Sequence, residues 1–114
     1  MLTLELENMC RRLRELSGEV CEDAWYWSGR YHPERGNLRF TQNYPASPYV
    51  RVYMCARFDQ ERDALLFDDV YLEVNYDENP DDDEFQEFLA ELRLAQDLAN
   101  LIRRVFAPEK PTED

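Results

Sequence analysis

The residues that could carry out catalysis are few in this sequence. His32 is its only histidine and stands beside Pro33 in a turn-like segment. A Cys–His or Ser–His arrangement would have to use this imidazole, and nothing in the sequence brings a nucleophile toward it. Asp68 and Asp69 are adjacent, so on a strand their carboxylates point to opposite faces and are poorly placed as a catalytic pair. We therefore predict that the chain is not an enzyme, with an enzyme of unrecognised type as the alternative.

A cation-binding loop is only partly present. Oxygen-bearing side chains occupy alternate positions, as in a calcium loop: Asp77, Asn79, Asp81 and Asp83. The sixth position of such a loop needs glycine and is Asp82 here, and the twelfth needs a bidentate glutamate and is Phe88. Capping of a helix that starts in this segment explains the same residues with fewer assumptions. We therefore predict no metal site and no cofactor.

The cysteines and the N-terminal segment indicate the compartment. Cys10, Cys21 and Cys55 have spacings that match no zinc or redox motif, and we interpret them as reduced thiols of a cytoplasmic protein. No apolar run approaches the roughly 20 residues that span a bilayer. The first seven residues lack the basic cluster of a signal peptide. We expect a cytoplasmic protein that does not enter membranes.

The net charge of −12 is concentrated in one stretch of the 114 residues. Residues 59–97 include 15 acidic and 2 basic residues, whereas residues 1–58 include 7 acidic and 8 basic residues. Nucleic acids and anionic lipids bind to positive surfaces, so we expect direct binding of neither. Concentrated charge produces a directional field that can select a basic partner. A solvated acidic face without a specific purpose is the alternative.

The hydrophobic pattern predicts a single α+β domain over residues 1–108 and a disordered tail over residues 109–114. Helical spacing of apolar residues predicts an N-terminal helix over about residues 4–17, which ends near Gly18. Aromatic and alternating segments predict three or four strands, over about residues 24–31, 38–43, 49–58 and 70–76. Turn residues separate these segments, which favours an antiparallel meander. A long C-terminal helix then packs on the sheet.

Alternation of side chains assigns the faces of the last two strands and suggests their pairing. One register places residues of the same face opposite each other, and it gives the pairs Val52–Val74, Met54–Leu72, Tyr53–Glu73 and Arg57–Asp69. If Trp25 and Trp27 point inward, the intervening Tyr26 joins Tyr53 and Tyr71 on the outer face. Exposed tyrosines beside charges are typical of interface hot spots, and packing in the core or at its rim is the alternative.

The C-terminal helix carries two apolar stripes. Its first turn is acidic, which suits the free N–H groups and the helix dipole. One stripe, from Phe85 to Phe106, is expected to face the sheet. The second stripe lies roughly 120° away around the helix and consists of Leu94, Leu98, Leu101 and Val105. It has to be covered by the N-terminal helix, by a second copy of the chain in a homodimer, or by a different partner.

The first functional hypothesis is an acidic inhibitor. In size and charge alone, the chain is similar to small phage-encoded anti-CRISPR and anti-restriction proteins and to immunity proteins against nuclease toxins. That similarity implies an acidic protein that mimics nucleic acid and masks a basic protein partner. The predicted contact residues are Asp77, Glu78, Asp81, Asp82, Asp83, Glu84, Glu87 and Glu91, together with Tyr53 and Tyr71.

The second hypothesis is a dimeric adaptor. Type III secretion chaperones are small, acidic dimers of mixed helix and sheet that hold unfolded segments of a client protein, and the chain is similar to them in composition. That similarity implies a dimer whose seam is the second apolar stripe, Leu94, Leu98, Leu101 and Val105. The chain is short for that family.

Overall fold

The computed structural model describes residues 2–21, 25–34, 36–44, 49–62, 64–75 and 82–106. In chain order these residues form α1 (Leu2–Val20), β1 (Tyr26–His32), β2 (Asn37–Tyr44), β3 (Val50–Asp59), β4 (Ala64–Val74) and α2 (Asp82–Phe106). The strands form one antiparallel sheet in the order β1-β2-β3-β4. α1 packs on β1 and on α2, while α2 packs on β3 and β4. The predicted α+β fold, a helix, a meander and a closing helix on the sheet, is confirmed.

Both helices cover the same face of the sheet, which we call the inner face. Alternation along the strands places fully buried side chains there, among them Leu38, Phe40 and Val52. α1 contributes Leu13 to this core, and α2 contributes Leu98. Burial of apolar area at roughly 25 cal/mol per Å² makes this layer the main source of stability. The opposite face of the sheet, which we call the outer face, carries no helix of the described chain.

α1 continues past Gly18, where the sequence predicted its end. The Ser17 hydroxyl, which is fully buried, donates to the carbonyl oxygen of Arg14 at 2.7 Å and accepts a hydrogen bond from the Trp25 amide at 2.8 Å. The Cys21 amide donates to the carbonyl oxygen of Ser17 at 2.9 Å. One buried serine therefore ties the end of α1 to the chain that enters β1. A glycine inside the helix costs only about 1 kcal/mol, which these contacts offset.

The predicted pairing of β3 with β4 is wrong by two residues. Val52 lies opposite Leu72 and Met54 opposite Val70, whereas the prediction set Val52 opposite Val74. The physical reason is that β4 begins at Ala64, directly after a tight turn, and so pairs from the turn onward. A shift of two residues keeps every side chain on its face, so the predicted faces are still correct.

A β-bulge accounts for the rest of the difference in register. Asp69 lies opposite Cys55 and Phe67 lies opposite Ala56, so Asp68 is an extra residue in β4. The predicted pairs Tyr53–Glu73 and Arg57–Asp69 are both wrong: the two-residue shift places Tyr53 opposite Tyr71, and the shift together with the bulge places Arg57 opposite Leu66.

α2 follows the predicted C-terminal helix closely, from Asp82 to Phe106. Its predicted end at Pro108 and the predicted tail over residues 109–114 lie outside the described residues, so the domain boundary at residue 108 stays a prediction. Neither α1 nor α2 combines the length with the apolar character that crossing a membrane would require.

The close approach of α1 to β1 depends on Gly29. A Cβ atom at this position would lie 2.7 Å from Cε1 of Phe40 and 3.0 Å from Cδ2 of Leu6. The Phe40 ring is fully buried, so it has little free space to move into, and the half-buried Leu6 of α1 contacts the same position from the helix. Glycine is therefore required here because of the packing between the helix and the sheet.

We expect Gly29→Ala to lower the free energy of unfolding by about 1–3 kcal/mol, since the added methyl group overpacks the contact with Phe40. Ser28→Ala, at the exposed neighbouring position of β1, serves as the control and should change stability little. Urea unfolding followed by circular dichroism measures both variants. Equal stability of the Gly29 variant and the wild type would contradict the close packing of α1 on β1.

Candidate functional site

α2 is held in a fixed rotation by contacts along its length. Near its start, the Phe88 ring meets the Tyr49 ring edge-on, with 5.9 Å between centroids. At its end, Phe106 stacks on Phe67 at 6.4 Å. Between them, the Arg103 guanidinium donates to the carbonyl oxygen of Val70 at 2.7 Å, at the edge strand β4. These contacts determine which side chains of α2 face solvent.

Three of the predicted contact residues form what we call the acidic stripe, Glu84, Glu87 and Glu91. Their spacing of three and four residues places them on one side of α2. Glu84 and Glu87 are exposed and Glu91 is half-buried, and the predicted Asp83 is exposed beside them. Attraction to the helix dipole falls off within the first turn, so it accounts for Asp83 and Glu84 but not for Glu87 and Glu91.

The structure does not describe the side chains of the other acidic residues predicted for the site. Asp77, Glu78 and Asp81 lie outside the described residues. Asp82 begins α2, but its side chain is also outside the described part. Their membership of a common surface with the acidic stripe stays a prediction.

Three of the four carboxylates of β3 and β4 have arginines close to them, and the fourth, Glu73, lies opposite Arg51 in the ladder. The described pairs are Asp59–Arg62 at 3.6 Å, Asp68–Arg57 at 2.8 Å and Asp69–Arg103 at 3.9 Å. Partial neutralisation by these arginines lowers the negative potential around the strands. Among the described residues, the concentrated negative charge is therefore that of the first half of α2.

The second apolar stripe of α2 is divided between the core and the surface. Leu98 is fully buried, and Leu101 is half-buried where α1 packs on α2. Leu94 and Val105 remain 38% and 39% exposed. The Leu98 side chain is therefore not accessible to a second chain, and only the two outer positions can form the predicted dimer or partner seam.

An arginine and two tyrosines stack in the middle of the outer face. The Arg39 guanidinium carbon lies 4.1 Å from the centroid of the Tyr53 ring and 5.9 Å from that of Tyr71. The two rings are nearly parallel, with centroids 5.2 Å apart. Tyr53 is only 6% exposed, so the prediction that its ring is available to a partner is wrong, whereas Tyr71 is 37% exposed. Burial raises the pKa of Tyr71, and the charge of Arg39 acts in the opposite direction.

Tyr26 does not join this stack, contrary to the sequence-based expectation. Trp25 and Trp27 are buried, which was the condition of that expectation, and Tyr26 is exposed. Its hydroxyl accepts a hydrogen bond from Arg14 of α1 at 2.8 Å, and the same guanidinium lies 4.1 Å from its ring centroid. A shift in the register between Tyr26 and Trp27 accompanies this displacement toward the helix.

Three arginines on the outer face were not predicted as site residues. Arg30, Arg39 and Arg51 come from three neighbouring strands and line one pocket of about 420 Å³. The signal for them was present, because the alternation of the predicted strands puts all three on the outer face. The net charge of −12 pointed instead to the carboxylates, and the arginines of the first half of the chain were treated as balanced by its acids.

The cysteines are poorly suited to nucleophilic chemistry. Burial, and secondarily the charge of Asp97, raises the pKa of Cys21 to about 11. Burial also raises the pKa of Cys10 and of Cys55, and the charge of Arg39 partly opposes the effect at Cys55. A thiol is nucleophilic as the thiolate, so a raised pKa lowers its reactivity. Among the described residues, no group of three or more His, Cys, Asp or Glu side chains could hold a metal ion.

We expect all three thiols of the folded protein to react with iodoacetamide more slowly than free cysteine at about pH 8, with Cys21 the slowest, because its pKa is raised to about 11. A time course followed by peptide mass spectrometry measures each site, and the unfolded chain in guanidinium provides the control. A thiol of the folded protein that reacts as fast as free cysteine would contradict the raised pKa at that site.

Two surfaces of opposite charge are the features of this molecule on which a function can rest. One is the acidic stripe on α2, and the other is the pocket that Arg30, Arg39 and Arg51 line on the outer face. The comparisons with known proteins add no relative to this description: no family model, no curated protein and no solved structure matches the chain.

Proposed function

We propose that this chain is an acidic, cytoplasmic binding protein that inhibits a basic, nucleic-acid-binding protein by occupying its cationic groove, as a phage anti-defence protein or a toxin-immunity protein would. The observation that carries the proposal is the acidic stripe, in which carboxylates follow one side of α2 beyond its first turn. Between Asp82 and Asp97, the helix includes one basic residue, Arg93. Carboxylates in a row can replace the phosphates of a nucleic acid in contacts with arginine and lysine.

The stripe is not explained by the stability of the helix. Glu87 and Glu91 are four residues apart, and like charges at this spacing destabilise a helix by about 0.2–0.5 kcal/mol. Both residues lie beyond the first turn of α2, where attraction to the helix dipole has fallen off, so the dipole does not account for them.

Exposed apolar side chains on the same helix suit such an interface. Phe85 and Leu89 are one turn apart and are 38% and 40% exposed. Leu94 lies one turn beyond Glu91 and is also exposed. Protein interfaces combine apolar contacts that hold the partner with charged residues that select and orient it. By helical spacing, Leu94 lies on the side of the acidic stripe, whereas Phe85 and Leu89 lie roughly 100° or more away around α2, so Leu94 is the apolar residue that the same partner would contact.

We expect Glu84→Lys/Glu87→Lys/Glu91→Lys to abolish capture of the basic partner, because the reversed charges repel it. Immobilised wild-type protein is exposed to host lysate and eluted with a salt gradient, and bound proteins are identified by mass spectrometry. The wild type should retain a nucleic-acid-binding protein that leaves the column as salt rises, since screening weakens contacts between exposed charges. Addition of the wild type should also displace duplex DNA from that protein in fluorescence anisotropy.

Glu7→Lys/Glu19→Lys/Glu61→Lys is the matched control. These three residues are exposed, lie outside α2 and change the net charge by the same amount. The control variant should retain the partner, and both variants should melt within a few degrees of the wild type. Unchanged capture by the stripe variant, or equal loss in the control, would reject the acidic stripe as the binding surface.

The exposed ends of the second apolar stripe favour one alternative, a dimeric adaptor that holds a client protein. Leu94 and Val105 are the exposed members of the second apolar stripe, and Leu98 and Leu101, between them, pack into the core. A second copy packed along this side would cover both residues, as the sequence predicted for a dimer seam.

If the chain is this dimer, we expect Leu94→Glu/Val105→Glu to convert it to a monomer without unfolding it, because both side chains are exposed in the protomer. Replacement of Leu98 would not be informative, since that side chain is in the core. Multi-angle light scattering gives the mass, and circular dichroism checks the fold. A wild type that is monomeric at high concentration would exclude the adaptor.

A further inference from the structure

The pocket on the outer face combines the groups that recognise phosphate. It has a volume of about 420 Å³, and we call it the arginine pocket. Three strands supply its polar lining, namely Arg30, Arg39, Arg51, Ser28, Thr41 and Asn43. None of the described lining residues is a carboxylate. Guanidinium, hydroxyl and amide N–H groups all donate hydrogen bonds, so the pocket is suited to an anion with several acceptor oxygens.

The positions of these arginines do not favour the stability of the sheet. Arg30 and Arg39 are direct cross-strand partners of β1 and β2, and like charges in such a position destabilise a sheet. Within the described residues, no carboxylate lies within 4.0 Å of Arg30, Arg39 or Arg51. This holds even for Glu73, which lies opposite Arg51 in the ladder. Arg39 stacks on Tyr53, but three guanidinium groups that line a concave site without a described carboxylate within 4.0 Å point to a ligand of opposite charge.

We infer that the arginine pocket binds the phosphate group of a nucleoside monophosphate. A phosphate monoester carries close to two negative charges and presents three terminal oxygens, which match the forked donors of several guanidinium groups. The flat guanidinium of Arg39 is already held in place over Tyr53, so little of its side-chain entropy is lost when it binds. Its Nε atom is buried and has no hydrogen-bond partner among the described residues.

An adjoining pocket of about 540 Å³ takes the nucleoside. It shares His32 and Arg39 with the arginine pocket, so the two form one continuous groove. Its lining includes Glu34, Asn37 and the exposed ring of Tyr71. The Asn37 Oδ1 atom is buried and has no hydrogen-bond partner among the described residues, so it can accept from an N–H of a base. The ring of Tyr71 offers a surface on which a base can stack.

The charges around the groove limit the ligand to a small molecule. Asp68, Asp69 and Glu73 on β4 border the outer face on one side, and Glu34 lies at the end of the groove. A continuous nucleic acid strand would bring further phosphates against these carboxylates, whereas one nucleotide does not reach beyond the two pockets. The acidic stripe belongs to α2, which packs on the inner face of the sheet, whereas the groove lies on the outer face.

Isothermal titration of the full chain with the 5′-monophosphates of adenosine, guanosine, cytidine and uridine tests the inference. At least one should bind with a submillimolar Kd. Arg30→Gln/Arg51→Gln should weaken that binding about tenfold or more, because neutral glutamines cannot replace the charged hydrogen-bond donors of the two guanidinium groups. Both arginines are exposed and their removal relieves repulsion, so the variant should melt no lower than the wild type. Arg30→Gln alone relieves the cross-strand repulsion with a single change, and it should weaken nucleotide binding less than the double variant does.

Arg11→Gln/Arg104→Gln removes the same charge from the exposed side of the two helices and should leave the Kd unchanged. Asn37→Ala should weaken nucleotide binding but not the binding of inorganic phosphate, which is titrated as a separate ligand.

The inference is overturned if none of the four nucleotides binds saturably, if the helix control loses affinity equally, or if inorganic phosphate binds as tightly as the nucleotides. Binding of a single-stranded oligonucleotide or an acidic peptide without binding of a mononucleotide also overturns it. None of these outcomes bears on the acidic stripe, whose partner is measured separately.

Discussion

The structure depends on a sheet that has only one covered face. Leu13 of α1 and Leu98 of α2 meet fully buried side chains of the strands, such as Phe40, on the inner face. Most large apolar side chains of the strands lie on that side because of the two-residue alternation, although Leu66 lies opposite Arg57 on the outer face. The outer face is mainly polar, charged or aromatic, so the same packing that stabilises the fold also produces an open face rich in functional groups.

The charges of the chain are distributed unevenly over its elements. Strands β1 to β3 carry Arg30, Arg39, Arg51 and Arg57, with Asp59 as their one carboxylate, whereas β4 carries Asp68, Asp69 and Glu73 and the first half of α2 is strongly acidic. The net charge averages these regions and hides the cationic one. Salt screens exposed charges over about 8 Å, so a partner or ligand responds to the surface it approaches and not to the total of −12.

The sequence was sufficient for the features that depend on periodicity. Alternation gave the faces of β3, and helical spacing gave α2 with both of its stripes. The register of β3 with β4 could not be predicted, because Ala64–Phe67 is a continuous apolar run without alternation and the bulge at Asp68 leaves no mark in the pattern. The stack of Arg39 on Tyr53 was missed for the same reason, since it requires the register of three strands to be known.

Strand order has a consequence for how the chain folds. Each strand pairs with its neighbour in sequence, so the meander can form through the closure of short loops alone, which is entropically cheap and fast. The packing of α1 against α2 instead joins the two ends of the chain. We therefore expect the meander to form early and the docking of the helices on each other to complete the native state. Loss of either helix would then leave a sheet whose strands are still paired but whose apolar inner face is exposed to self-association.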